Sequence, residues 1–119
     1  MRRMAGTVYI KVDGEQLSIQ GDVECPLTTE QRETKLDVAG NVVGYGSSYI
    51  APYIKLSSYF LKNFPMAKVA KEENMTVHAA FENGMTYVLS NAHLVGETPV
   101  NPGEGTVPLQ FDGEDGRWM

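Results

Sequence analysis

Two histidines, His78 and His93, are the strongest candidates for metal ligands in this 119-residue chain. They lie on two consecutive predicted strands joined by Asn83 and Gly84, a pair typical of a two-residue hairpin turn. That turn sets Glu82 opposite Met85 and leaves the two imidazoles roughly 13 Å apart at the rise of a strand. The spacing is too wide for a shared metal ion, so we expect surface or structural roles for both histidines.

Cys25 is the single cysteine, which excludes an internal disulfide and a cysteine-rich metal site. Its neighbours are Glu24 and Pro26. A carboxylate beside a thiol raises the thiol pKa, the opposite of what a catalytic nucleophile needs. We therefore expect Cys25 to be a structural residue.

No other residue pattern in the sequence matches a catalytic or cofactor site. The adjacent acids Glu72 and Glu73 diverge on a helix or a strand, as do Glu114 and Asp115. The glycines around Tyr45 lack the lysine and the helix start of a phosphate loop, and no nucleophile elbow is present. The sequence predicts neither an enzyme nor a bound cofactor.

The composition is typical of one globular domain that spans residues 1–119. Hydrophobic residues make up 42% and charged residues 21% of the chain, and the net charge is −5. This acidity argues against a nucleic-acid-binding protein, which needs clustered lysine and arginine. No apolar run is long enough for a membrane anchor or a signal peptide. We expect residues 1–4 to be flexible.

Most of the chain follows the two-residue alternation of half-buried strands. Strands are predicted at residues 7–12, 15–24, 35–38, 53–57, 75–82, 85–95 and 107–111, with turns at 13–14 and 39–41, a polar connection at 28–33 and a polar tail at 112–119. Apolar residues occur on both faces of the strand at 85–95, which predicts a central position. The strands follow one another as hairpins, so the predicted fold is mainly β, an antiparallel β-sandwich or barrel.

One short flanking α-helix is predicted at residues 65–72. Met66, Val69 and Ala70 share a face at helical spacing, and this face is expected to pack on the sheet. Phe60, Leu61 and Phe64 are expected to help dock the helix.

Two rows of outward-facing residues are candidates for a solvated surface. The first row lies on the strand at 15–24 and consists of Gln16, Ser18, Gln20, Asp22 and Glu24; the second consists of Thr76, His78, Ala80 and Glu82. Both are neutral to acidic, so either row would repel phosphate groups.

Residues 40–53 form an apolar, glycine-containing segment without any charge. An exposed apolar patch of this kind is typical of an interaction site, and tyrosines are effective interface anchors. We predict a protruding loop or arm that associates with another copy of the chain and becomes ordered there. Its candidate contact residues are Tyr45, Tyr49, Ile50 and Tyr53.

The order and spacing of several short segments resemble a known family. They are residues 5–14, 43–45, 51–54, 83–92, 94–97 and 104–107. Together they resemble the tail tube proteins of Mu-like contractile-tailed bacteriophages over residues 5–113. The likeness is weak at residues 57–73, and it favours Met4 as the first residue.

The resemblance implies a structural virion protein that self-assembles into hexameric rings, which stack into the inner tube of a contractile tail and conduct DNA. The implied partners are other copies of the chain, the tail sheath protein, and the baseplate and tail-terminator proteins. DNA would pass through without specific binding. The implied location is the virion tail, after assembly in the host cytoplasm. The implied fold is a β-sandwich with a flanking helix.

The implied tube assigns roles to the candidate residues. The row from Gln16 to Glu24 is expected to line the lumen, with the row from Thr76 to Glu82 as the alternative. The arm is expected to join stacked rings, helped by Met4, Ala5 and Gly6 and by the tail. The alternative to a tube protein is a small β-sandwich ligand-binding module with a tyrosine-rich loop, which would stay monomeric at any concentration.

Overall fold

Antiparallel strands make up most of the protein. The computed structural model describes residues 8–119, with the backbone alone at residues 21 and 22. Ten strands and one helix follow in this order: β1 (Val8–Val12), β2 (Glu15–Leu17), β3 (Ile19–Glu24), β4 (Glu30–Leu36), β5 (Val42–Tyr49), β6 (Tyr53–Tyr59), α1 (Met66–Lys71), β7 (Met75–Phe81), β8 (Thr86–Val95), β9 (Thr106–Asp112) and β10 (Asp115–Trp118). The predicted fold class, mainly antiparallel β with one short helix, is confirmed.

One stretch of chain closes the main sheet on itself. The alternation of residues 15–24 predicts a continuous strand, but the structure divides it at Ser18 into β2 and β3. These strands lie at opposite ends of the order β2-β1-β7-β8-β9-β6-β3. The Ser18 carbonyl accepts hydrogen bonds from the Tyr59 backbone N–H at 2.8 Å and from Ser58 Oγ at 3.2 Å. The sheet is therefore nearly a closed barrel.

A second corner of the barrel lies at Asn91 in β8. Its φ of 52° marks a β-bulge, where the register against β7 shifts between Leu89 and Ala92. Before the bulge β8 pairs with β10, and after it with β9. Because the bulge reverses the alternation, Tyr87, Leu89 and Ala92 are all buried. The strand is central, as predicted. Its buried residues all face the core, but the bulge shifts their alternation along the sequence by one residue.

The loop between β7 and β8 differs from the predicted two-residue turn. The Phe81 N–H donates to the Met85 carbonyl at 2.9 Å, so Met85 lies opposite Phe81 rather than Glu82. Asn83 Oδ1 accepts a hydrogen bond from the Met85 N–H, and Gly84 has a φ of 93°. This is a three-residue loop ending in a glycine bulge. An asparagine followed by glycine suits both turn types, so sequence alone does not separate them.

Helix α1 contributes one side chain to the core instead of the predicted three. Val69 is buried, whereas Met66 and Ala70 are exposed. A six-residue helix makes fewer than two turns, so little of its surface reaches the barrel. Phe60 and Phe64 pack against the core, with ring centroids 5.4 Å apart, whereas Leu61, also predicted to help dock the helix, is exposed.

The C-terminal segment is part of the barrel rather than a polar tail. β10 pairs with β8 along its whole length. The Trp118 ring centroid lies 4.9 Å from that of Tyr87 and 5.6 Å from that of Phe81. Residues 112–119 therefore close one side of the fold.

We expect Gly116→Ala to lower the free energy of unfolding by about 1–3 kcal/mol, the usual cost of overpacking a core. A Cβ at Gly116 would lie 2.7 Å from Tyr87 Cζ and 2.8 Å from Pro52 Cβ. Gly46→Ala is the matched control, because its Cβ would meet only the flexible Lys35 Cε at 3.2 Å. Urea unfolding measures both variants, and equal stability of the two would contradict the packing at Gly116.

Candidate self-association surface

Residues 30–49 form a β-hairpin that is separate from the barrel. β4 and β5 make up a two-stranded sheet of their own, with Glu30 opposite Tyr49 and Leu36 opposite Val42. The sequence predicts a connection at 28–33 and a strand only at 35–38, whereas β4 begins at Glu30 and ends at Leu36, so only residues 35 and 36 of the predicted strand are correct. The alternation rule fails for β4 because neither face of the hairpin is buried.

The hairpin projects into solvent. All residues of β4 and β5 are exposed except Glu30 and Gly46, which are half-buried. The Cα radius of gyration is 17.3 Å, against about 13 to 14 Å for a compact domain of this length. The arm predicted at residues 40–53 thus contains a paired strand rather than a loop.

A tight turn holds the end of the hairpin. Asp37 Oδ1 accepts hydrogen bonds from the backbone N–H groups of Ala39 and Asn41, both at 2.9 Å. The Asp37 carbonyl accepts a third from the Gly40 N–H at 3.0 Å, and Gly40 has a φ of 86°. An aspartate that bonds its own turn in this way gives the tip a defined shape.

One face of the hairpin carries two tyrosines. Tyr45 lies opposite Thr34 and Tyr49 opposite Glu30, so both rings lie on the same side as Arg32. The Arg32 guanidinium sits 5.6 Å from the Tyr45 ring centroid and pairs with Glu30 through Nε and Oε1 at 3.2 Å. Tyr45 and Tyr49 are 65% and 75% exposed. We call this side the tyrosine face.

The opposite face of the hairpin is flat and polar. It carries Gly44, Gly46 and Ser48 on β5, opposite Lys35, Glu33 and Gln31 on β4. Lys35 and Glu33 pair with each other at 3.3 Å. This glycine face offers a partner little apolar surface.

Four exposed aliphatic side chains surround the tip of the hairpin. They are Leu36, Val38, Val42 and Val43. We call them the aliphatic tip. Sequence reasoning missed them because Leu36 and Val38 fit the alternation of a half-buried strand. The turn at residues 39–41, flanked by valines on both sides, was the available signal.

The other predicted contact residues lie apart from the tyrosine face. Ile50 is half-buried at the base of the hairpin, where its N–H donates to the Thr29 carbonyl at 2.9 Å. Tyr53 is half-buried in β6, within the barrel. Met4, Ala5 and Gly6 lie outside the described residues. The structure thus brings together Tyr45 and Tyr49 alone.

The first predicted lumen row does not stay on one surface. Gln16 lies opposite Lys11, which lies opposite His78. Gln16 therefore shares an outer face with the second row, in which Thr76, His78 and Ala80 are half-buried. Glu82 follows β7 in the exposed loop.

The rest of that row lies beyond the corner at Ser18. Gln20 is opposite Ser57 and Glu24 opposite Lys55, on the outer face of β3 and β6. Ser18, Gln20 and Glu24 are exposed, and the side chain of Asp22 lies outside the described residues. The bend at Ser18 splits the row between two faces.

The titratable groups with altered pKa values are structural. Burial raises the pKa of the half-buried Cys25 thiol from 9.0 to about 12. Burial also raises the pKa of Tyr87 to about 12, reinforced by the negative charges of Cys25, Asp115 and Tyr53. The neighbouring acid is thus not the main cause at Cys25. A thiol with so high a pKa is a poor nucleophile.

The described acidic and metal-binding side chains are spread over the fold. At residues 8–20 and 23–119, whose side chains the structure describes, no three His, Cys, Asp or Glu side chains lie close enough together to hold an ion. His78 lies opposite Val88 in the main sheet, whereas His93 lies opposite Asp112. In the same part of the chain, no helix is long and apolar enough to cross a membrane.

The barrel is nearly closed, and the hairpin beside it leaves two tyrosines and four aliphatic side chains exposed. The family model for the phage tail tube protein matches residues 1–118. The chain therefore belongs to the phage tail tube protein family, and the family resemblance of the sequence is confirmed. The comparison with curated proteins finds no match.

Solved structures of contractile injection systems share the fold. The PVC sheath/tube terminator of an extracellular contractile injection system is 12% identical, with a TM-score of 0.67 over 100% of this chain and 97% of that one. The tube-terminating cap of the anti-feeding prophage is 14% identical, with a TM-score of 0.67 over 100% and 93%. Hcp1 from Flavobacterium johnsoniae is 10% identical, with a TM-score of 0.55 over 93% of each chain.

We expect Cys25 in the folded protein to react with iodoacetamide at pH 8 far more slowly than in urea. A rise in pKa from 9.0 to about 12 lowers the thiolate fraction about a thousandfold at this pH. Because the folded state favours the protonated thiol, its contribution to stability is complete below pH 9 and is lost as the pH rises toward 12. Equal alkylation rates with and without urea would contradict the burial of this thiol.

Proposed function

We propose that this protein forms hexameric rings that stack into the inner tube of a contractile phage tail, through which DNA passes. The observation that carries the proposal is the hairpin, whose tyrosine face and aliphatic tip remain uncovered in a single chain. Membership of the tail tube family supports a second copy of the chain as the molecule that covers them.

The position of the hairpin favours a contact that repeats. In the proposed tube, a partner copy meets the tyrosine face and the aliphatic tip with a different part of its own surface. Contacts between unlike surfaces generate closed rings or open stacks rather than isolated dimers. In the proposed tube the hairpin joins one ring to the next.

The proposed lumen lining is the outer face of β3, β6 and β9. Its polar side chains include Gln20, Glu24, Lys55, Ser57, Gln110 and Asp112, and Tyr53, Tyr59 and Pro108 lie on the same face. One lysine against two carboxylates gives phosphate groups no cluster of cations to bind. DNA would therefore slide past this face without specific binding.

The proposed partners follow from the tube. The related structures are described as a sheath/tube terminator and a tube-terminating cap. By analogy, this protein would contact a sheath protein on its outside and a terminator and a baseplate protein at the two ends of the tube. Assembly would take place in the host cytoplasm, and the protein would end in the virion tail.

We expect Tyr49→Asp to give a folded monomer that no longer forms tubes. A buried interface tyrosine typically contributes at least about 2 kcal/mol, so the critical concentration for assembly should rise about thirtyfold or more. Ser48→Asp is the matched control, since it adds the same charge one residue away on the glycine face. Sedimentation and negative-stain microscopy measure assembly, and circular dichroism measures folding.

The outcomes separate the proposals. Tubes from Tyr49→Asp at the normal concentration would contradict a role for the tyrosine face. Loss of tubes in both variants would show that the contact is not confined to that face. Wild-type protein that stays monomeric at millimolar concentration would instead favour the ligand-binding module.

We expect a gold-labelled cysteine at Gln20 to lie inside the tube and one at Thr76 to lie elsewhere. Each cysteine is introduced into a Cys25→Ala background and labelled before assembly with a small maleimide–gold cluster. Cryo-electron microscopy then locates the cluster. Gold inside the tube for Thr76→Cys and outside it for Gln20→Cys would replace the proposed lining with the opposite face of the barrel.

A further inference from the structure

The hairpin joins the barrel through two short legs, residues 25–29 and 50–52, and each leg contains a proline. Pro26 is buried and Pro52 is half-buried. A proline ring fixes φ, so each leg is stiffened at the point where it leaves the barrel. The hydrogen bond from the Ile50 N–H to the Thr29 carbonyl joins the legs at 2.9 Å.

The C-terminal segment binds both legs at these prolines. The Trp118 indole Nε1–H donates to the Pro26 carbonyl at 3.0 Å. The Gly113 N–H donates to the Pro52 carbonyl, also at 3.0 Å. Residues 113 and 118 thus each hydrogen-bond to one leg from one side of the barrel, although both residues lie far from the legs in the sequence.

The packing around Trp118 fixes the position of its indole. The ring is stacked on Phe81, with an interplanar angle of 29°, and is tilted against Tyr87 at 54°. Gly116 allows β10 to approach Pro52, because a Cβ there would lie 2.8 Å from the proline Cβ. The indole N–H is therefore held by the core and directed at the hairpin leg.

We propose that residues 113–118 are a clamp that sets the direction in which the hairpin leaves the barrel. Trp118 is the positioning residue: it acts on the hairpin through the Pro26 leg, to which its indole donates. The role of this direction in stacking rests on the proposed function. The clamp itself is a property of the single chain and is testable without assembly.

The test measures the direction of the hairpin by the distance between two spin labels. Ser48→Cys on the glycine face and Lys11→Cys at an exposed position of β1 carry the labels, in a Cys25→Ala and Tyr49→Asp background intended to keep the chain monomeric. Trp118→Phe retains an aromatic ring but removes the indole donor. We expect its distance distribution to be at least about twice as wide as that of the parent.

Ser58→Ala is the matched control. It also removes a side-chain hydrogen bond to a backbone carbonyl, that of Ser18. This bond lies at the Ser18 corner of the barrel rather than at the hairpin legs. Its distribution should match that of the parent even if its unfolding midpoint falls. Equal widths for Trp118→Phe and the parent would overturn the clamp, as would equal broadening in Ser58→Ala.

A second variant covers the case in which Trp118→Phe does not fold. Pro26→Ala keeps the carbonyl acceptor and frees φ in the leg, so the distribution should broaden in the folded protein, although loss of the buried ring should also lower the unfolding midpoint; an unchanged width would overturn the clamp. Without the Tyr49 substitution, both variants should form fewer tubes. Broad distributions with normal tubes would retain the clamp but remove its role in stacking, whereas a wild type without tubes would overturn only the proposed function.

Discussion

The structure depends on one constraint: the barrel completes its core without the hairpin, so no residue of β4 or β5 is buried. The chain closes the sheet at Ser18, and a bulge at Asn91 carries β8 from one set of partners to another. With these corners made, Val38 and Val42 have no apolar neighbour in the barrel. Burying a valine or leucine side chain is worth roughly 1.5–3 kcal/mol, so the aliphatic tip alone can strengthen association by several kcal/mol.

The fold could be predicted where one face of a strand is buried. Leu109 and Phe111 alternate with polar residues in β9, and Asp13 and Gly14 form the predicted two-residue turn with positive φ values. The rule fails in β4, where charged residues occupy both faces because no core lies on either side. It also fails at Ser18, since alternation continues through a bend and does not record which partner each half of the strand meets.

The candidate site could be predicted in part for the same reason. Composition alone identified the region around Tyr45 and Tyr49, because uncharged tyrosine-rich chain is uncommon in solvent. Predicting that the two rings share a face with Arg32 requires the pairing of β5 with β4, which the sequence does not reveal. Tyr53 has the same residue type and a similar neighbourhood in sequence, yet it lies in β6, beyond the proline that ends the hairpin. The boundary is set by tertiary hydrogen bonds at Pro52, which periodicity does not register.

The hairpin carries internal contacts that an unpaired loop would lack. Asp37 accepts two hydrogen bonds within the tip, the Arg32 guanidinium lies 5.6 Å from the Tyr45 ring centroid, and the legs are bonded to the barrel at Pro26 and Pro52. Order in an unburied element lowers the conformational entropy that association would otherwise remove, and so strengthens binding without adding contact area. A stack of many subunits needs the same contact geometry at every level. In the proposed tube, a hairpin held at a fixed angle would supply that geometry, whereas an equally apolar but flexible arm would not.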